Sequence, residues 1–211
     1  MHTLSIGDCI RFGWETFKQR PWILIGGVLL AMVIAGLPSA FGPQPTIGPD
    51  GQINPPPASA FGAIVALVSV FVSMLVGLGL TTFSLRAHDN INGVQIADLW
   101  NPGPFWRFVG AHILTVIAIA LGFLALIIPG IILSMGLAFV SYLVVDRGLG
   151  PIEAIKESWR VTKGHKWQLL LLFLALLGLN LLGILALLIG VFVTVPITML
   201  AFAHAYRTLT S

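Results

Sequence analysis

The sequence predicts an all-α protein: a polytopic membrane helical bundle of about six transmembrane helices, with two or three short interfacial amphipathic helices. Three observations lead there. The 211 residues are 57% hydrophobic and only 9% charged, whereas a soluble domain carries about a quarter charged residues. A chain so poor in charge cannot cover its own surface with polar groups, and lipid is the solvent that suits it. Long apolar runs recur, and the basic residues sit only between particular pairs of them.

A helix that crosses a ~30 Å hydrocarbon core needs about 20 apolar residues. The first such run extends from Trp22 to Phe41, the second from Ala60 to Leu85, the third from Phe108 to Ile128 and the fourth from Ile131 to Val145. A last tract from Trp167 to Tyr206 is too long for one span and suits two, with Gly190 as the turn because glycine accepts the angles of a tight reversal. Pro129-Gly130 is expected to turn the chain between the third and fourth runs. The fourth is short, so four spans with one re-entrant hairpin is an alternative. Nothing separates a second domain, and residues 1–211 read as one membrane unit. The first 20 residues are amphipathic and are followed by a full-length span, which reads as an anchor that is kept rather than a cleaved signal.

Charge sets the orientation. With the N-terminus in the cytoplasm, all eleven Lys and Arg fall on the cytoplasmic side, and the opposite side holds only Asp50 and two tight turns. The positive-inside rule then places both termini in the cytoplasm of a cell (inner or plasma) membrane protein. The segment from Gly42 to Ser59, with Pro55-Pro56-Pro57, reads as an extended extracytoplasmic connector.

An internal repeat introduces the spans. Ile10, Trp14, Lys18 and Trp22 recur at constant offset as Ile155, Trp159, Lys163 and Trp167, with Asp8 matched by Glu153 and Arg11 by Lys156. Ile152, Ile155 and Trp159 share a helical face, and Lys156, Arg160 and Lys163 lie elsewhere on the circumference. Ile10, Trp14 and Phe17 make the same stripe in the first copy. Trp on the apolar side with Lys and Arg on the polar side suits the headgroup plane. A weaker third copy runs through Ile96, Leu99, Trp100, Phe105 and Trp106 to Arg107. The units would be 1–86, 94–146 and 151–207.

From Val145-Asp146-Arg147-Gly148-Leu149-Gly150-Pro151 through Trp159-Arg160-Val161-Thr162-Lys163-Gly164-His165-Lys166-Trp167, the chain resembles uncharacterised prokaryotic integral membrane proteins. These are related to the membrane domain of some glycerophosphoryl diester phosphodiesterases. Gly13-Trp14-Glu15-Thr16-Phe17-Lys18 resembles the start of the same family. The resemblance implies a polytopic helical membrane protein. It does not carry over the phosphodiesterase activity, whose metal-binding residues belong to a separate soluble domain.

Chemistry-bearing residues in the spans are few. His112 and His204 lie toward the cytoplasmic side and would be candidates for a proton or metal site, although no third ligand shares their depth. Asn180 is the one amide in mid-span and is expected to bond a neighbouring helix. Cys9 stands alone, which excludes an internal disulfide, and it reads as a packing residue. The spans hold no paired carboxylates, and nucleophile elbows, phosphate loops and zinc-helix motifs are missing. The expectation is therefore no enzyme, no cofactor, no metal and no nucleic-acid partner. Small residues at four-residue spacing, Gly27-Ala31-Ala35 and Ser69-Ser73-Gly77, would pack the bundle or a homo-oligomer.

The functional expectation is a non-enzymatic membrane protein that scaffolds, assembles or regulates a membrane protein partner. Anionic lipid headgroups would be engaged through Arg11, Trp14, Lys18, Lys156, Trp159, Arg160 and Lys163. A transporter or channel for a small or lipid-like solute, with Pro129-Gly130 and Pro196 as helix breaks, is the alternative. A membrane-shaping role through the interfacial helices is a third.

Overall fold

The structure, a computed structural model, describes residues 4–47, 49, 51–54, 56, 59–185 and 190–210. The connector residues Asp50, Pro55 and Pro57 lie outside the described residues. The described chain is an all-α bundle with one minimal strand pair.

Helix α1 spans Ile6–Gln19. Ser5 caps it by accepting the Asp8 N–H at 3.3 Å. Asp8 in the first turn and Lys18 in the last complement the helix dipole. Its buried residues, Cys9, Gly13, Thr16 and Phe17, form one stripe. Pro21 opens α2, Pro21–Ala40, where its missing N–H goes unused. The connector that follows carries strands β1, Thr46–Ile47, and β2, Ile53–Asn54, paired antiparallel. These rungs use non-proline residues of a segment that the sequence predicts to be extended.

Ser59 caps α3, Ala60–Asp89, by accepting the Gly62 N–H at 3.0 Å. Thirty residues make a helix of about 45 Å. This exceeds a hydrocarbon core and carries Arg86, His88 and Asp89 beyond the apolar run. A 3₁₀ helix, Ile96–Leu99, follows. The expected third amphipathic helix is thus a single 3₁₀ turn. Asp98 folds back to accept the Gln95 N–H, and Asn101-Pro102-Gly103-Pro104 prevents extension.

Helix α4 spans Phe105–Ala125 and α5 spans Ile127–Gly136. The reversal between them is at Leu126, in extended conformation, and not at Pro129-Gly130 as the sequence predicts. Pro129 sits in the first turn of α5, where no N–H is needed. Gly130 instead allows close crossing, because a Cβ there would enter the Phe123 ring. The fourth run is also broken: after 137–139 the chain resumes as α6, Val140–Arg147, which ends on Gly148 at φ 62°.

Helix α7, Pro151–Val161, begins with Pro151 and with Glu153 accepting the Gly150 N–H at 3.2 Å. Helices α8, Lys166–Leu185, and α9, Val191–Thr210, complete the chain. Gly190 lies in a turn directly before α9, as expected, while 186–189 lie outside the described residues.

Among the described residues, five helical stretches are long and apolar enough to cross a membrane, counting Ile127–Arg147 as one across its break. The sixth expected span, α9, carries Thr194, Thr198, His204, Tyr206 and Arg207 and falls short. It is instead the most enclosed helix, with Thr194, Pro196, Ile197, Leu200, Ala201, Ala203, Ala205 and Tyr206 buried. A helix surrounded by other helices needs less hydropathy than one facing lipid. The outer helices show large apolar side chains, such as Leu67 at 72% exposure and Leu124 at 83%. The tightest core gathers Leu78, Leu143, Leu172, Ala201 and Tyr206 toward the charged end of the bundle.

Each short element at that end packs on the helix closing another hairpin. Helix α1 lies on α9, the 3₁₀ helix on α3, and α7 follows and packs on α6. A Cβ on Gly13 would stand 2.7 Å from the Ile197 carbonyl oxygen, and one on Gly79 would fall on the Leu99 carbonyl. One on Gly136 would enter the Trp159 ring.

Candidate functional site

The charged end of the bundle is where side-chain chemistry concentrates, and α3, α6 and α9 meet there. Arg207 on α9 donates to both carboxylate oxygens of Asp89 on α3, at 3.0 and 2.5 Å, and to Asp146 on α6 at 2.9 Å. The Tyr206 hydroxyl donates to Asp146 at 2.7 Å. A histidine pair continues the network: His88 Nε2 lies 3.1 Å from His204 Nδ1, and His88 Nδ1 lies 3.0 Å from Asp89. Phe12 of α1 packs on both rings, with centroids 4.6 and 4.3 Å away. A direct nitrogen–nitrogen contact needs one donor and one acceptor, so this arrangement holds at most one imidazolium.

The structure does not bring His112 to His204. His112 is exposed and stacked on Phe108, and His204 is occupied by His88. Among the described residues no group of three His, Cys, Asp or Glu could hold a metal. Asn180 donates to Thr198 Oγ1 on α9 and to the Leu176 carbonyl, both at 2.8 Å, which ties α8 to α9. Cys9 is buried, and its burial, aided by the neighbouring Asp8 carboxylate, pushes the thiol up to about 11.

The basic residues divide into two groups, a division the sequence does not announce. Most arginines brace the fold. Arg20 donates to the Asn92 carbonyl at 2.8 Å, and Arg107 to the Gly148 carbonyl at 2.7 Å. Arg86 pairs with Asp98, and Arg147 bridges Glu157 at 3.2 Å and the Thr210 carbonyl at 3.1 Å. Arg160 also binds Glu157, at 2.6 Å, but its side chain stays 76% exposed. Arg11 is exposed and makes only loose 3.9 Å pairs with Asp8 and Glu15. Lys18, Lys156 and Lys163 are exposed, and among the described residues no carboxylate stands within bridging distance of them.

Trp14 and Trp159 lie on the same two helices as this free charge. Trp14 is 46% exposed, with Lys18 Nζ 5.8 Å from its ring centre. Trp159 is 39% exposed and carries Lys166 Nζ at 3.1 Å on its ring. The buried residues of α7 are Ala154 and Ser158, with Thr162 just beyond, and not the Ile152-Ile155-Trp159 stripe. Ser158 Oγ donates to the Gly136 carbonyl at 2.9 Å and accepts the Phe139 N–H at 3.3 Å. Thr162 Oγ1 lies 3.2 Å from the same carbonyl. Two hydroxyls, one on α7 and one at its C-cap, thus meet the backbone groups freed where α5 breaks. Ile152 is left exposed on a second flank, and the lysines occupy a third.

Asp89, Asp146 and the His88–His204 contact escaped sequence reasoning. One signal for them exists in the sequence: Asp89 and Asp146 each stand ten residues after a glycine, Gly79 and Gly136, and Arg207 stands ten after Ile197.

An uncharacterised protein of Mycobacterium tuberculosis is 27% identical over 223 residues, taking in 97% of this chain and 68% of the relative. An uncharacterised protein of Mycobacterium bovis matches with the same identity and coverage. No solved structure matches. None of these findings links the chain to the phosphodiesterase membrane domains it resembles, so that part of the expectation narrows to an uncharacterised family. Residues 105–211, helices α4 to α9, match one such family over half of the chain. The chain belongs to DUF975, a family of proteins of unknown function.

Proposed function

We propose that this is a non-enzymatic multi-pass protein of the cell membrane that scaffolds or regulates membrane partners. On this reading it grips anionic lipid through cytoplasmic interfacial helices α1 and α7. The observation that carries the reading is the division of cations. The bracing arginines are spent on carbonyls and carboxylates, whereas Lys18, Lys156 and Lys163 remain exposed on or just after the two helices that carry half-exposed Trp14 and Trp159. Free lysines with tryptophan on such helices suit a headgroup layer, where each adds about 1 kcal/mol of attraction to an anionic surface. Both termini are then cytoplasmic, because all eleven basic residues belong to one side.

Three repeated units closed into a ring support a scaffold. Gly13, Leu99 and Ser158 each follow an isoleucine by three residues and precede a tryptophan. Each meets Ile197, Gly79 or Gly136 on the closing helix of another unit. The ten-residue spacing to Arg207, Asp89 and Asp146 keeps the register and extends the first unit from 86 to Asp89. The break between α5 and α6, which lies apart from the Pro129-Gly130 and Pro196 breaks of the transporter alternative, is filled by Ser158 and Thr162.

Binding to phosphatidylglycerol-containing vesicles tests the lipid reading. Replacing Lys18, Lys156 and Lys163 by Gln should weaken retention of the purified chain on these vesicles relative to phosphatidylcholine. Equal retention of both proteins would overturn it. Cross-linking in native membranes, read by mass spectrometry, tests for a defined partner.

A further inference from the structure

We propose that the groove between α5 and α8 holds one acyl chain of an anionic phospholipid, with its phosphate on the Lys166 ammonium. The groove measures about 290 Å³, and its walls are Ile131, Ile132 and Met135 of α5 with Trp167 and Leu170 of α8. Lys166 and Gly164 also line it. Such walls take hydrocarbon and offer nothing to a polar solute.

The Lys166 ammonium supplies the headgroup chemistry. Lys166 Nζ is held 3.1 Å from the Trp159 ring centre, and a Cβ on Gly136 would stand 3.5 Å from it. The ring attracts the cation but accepts no conventional hydrogen bond. Among the described residues no carboxylate or carbonyl accepts from this ammonium, although it has three N–H donors. Its N–H donors stay open to a further acceptor, and a lipid phosphate at the membrane surface would fill that place. The glycine at 136 matters here, since any side chain would displace the ring that fixes the lysine.

A second groove provides the internal comparison. Between α2 and α3, about 310 Å³ is lined by Leu30, Ile34, Val72, Val76 and Trp100, with no cation on its border. It can take a lipid chain but has nothing that distinguishes headgroups.

The proposal rests on the membrane reading above, but not on the exposed lysines of α1 and α7. Native mass spectrometry of the purified full chain, titrated with equal dioleoyl phosphatidylglycerol and dioleoyl phosphatidylcholine, tests it. The wild type should prefer phosphatidylglycerol for its first bound lipid. Lys166→Gln should lower that preference about fivefold, the effect of one interfacial charge, while Lys166→Arg retains it. Ile132→Trp, which fills the groove, should abolish the phosphatidylglycerol preference, because the second groove that remains does not distinguish headgroups. An unchanged preference in Lys166→Gln or in Ile132→Trp overturns the proposal. Should Lys166→Gln lose its helical circular dichroism, Lys166→Arg and Ile132→Trp decide. The Lys18, Lys156 and Lys163 variant should keep the first-site preference. Loss of preference there, with Lys166→Gln unaffected, would leave the exposed lysines standing and remove the groove.

Discussion

Glycine and cysteine show how single positions are constrained at the charged end of the bundle. A Cβ on Gly79 would fall on the Leu99 carbonyl, a backbone atom fixed by its own 3₁₀ turn. Gly178, in contrast, has nothing within 4 Å of the same position. Gly79→Ala should therefore cost about 1–3 kcal/mol through overpacking. Gly178→Ala should be neutral or slightly stabilising, since alanine is the better helix former. Thermal unfolding in detergent separates them, with a drop of several degrees expected for the first alone. Cys9 offers a chemical reading of the same packing. A thiol near 11 is almost wholly protonated at pH 8, with roughly one thiolate in a thousand molecules, and the side chain is buried besides. Iodoacetamide at pH 8 should leave the folded chain unlabelled and modify it fully once denatured. Rapid labelling of the folded protein would show that α1 does not stay docked.

At the scale of elements, hydrophobic periodicity made the long helices legible. The bounds of α2 fall within a residue of the run that predicts it, because lipid-facing helices are apolar throughout. Breaks and faces were less legible. Gly136-Leu137-Ala138 continues an apolar pattern without a polar or proline signal, yet the helix stops there. The reason lies on another element: Ser158 and Thr162 supply the hydrogen-bonding groups that the break requires. The same pair explains why Ala154, Ser158 and Thr162 make the buried face of this element while Ile152 stays exposed. Small hydroxyl residues permit close approach and pair with freed backbone, whereas isoleucine offers no hydrogen-bonding group and tryptophan is too bulky for the same approach. Ser158→Ala should cost about 1–3 kcal/mol, since it leaves the Phe139 N–H without its acceptor and takes a donor from Gly136. Adding Thr162→Val should cost more than its separate effect, because it removes the last donor to a carbonyl that both hydroxyls serve. A double-mutant cycle on unfolding midpoints measures that coupling.

For the whole molecule, the meeting of α3, α6 and α9 through Asp89, Asp146 and Arg207 is the feature least visible in the sequence. Each charge closes an apolar helix and would pass for an ordinary flank; only tertiary register brings positions 89, 146 and 207 together. Their side chains retain 48%, 20% and 30% exposure respectively, so solvent screens the ion pairs and reduces their worth. Removing the arginine has a larger consequence than losing two pairs, since it leaves two carboxylates facing each other with Tyr206 able to donate to only one. Arg207→Gln should destabilise the bundle by about 1–2 kcal/mol, within the range left after screening. Added salt should recover part of the loss by weakening the carboxylate repulsion. Asp89→Asn and Asp146→Asn added to Arg207→Gln remove that repulsion and leave amides that can bond one another, so the triple variant should be more stable than the single one. If the triple variant were the less stable, the arginine would be acting by packing along its stem and not by joining three helices through charge. Unfolding midpoints of the two variants at low and high ionic strength distinguish these outcomes.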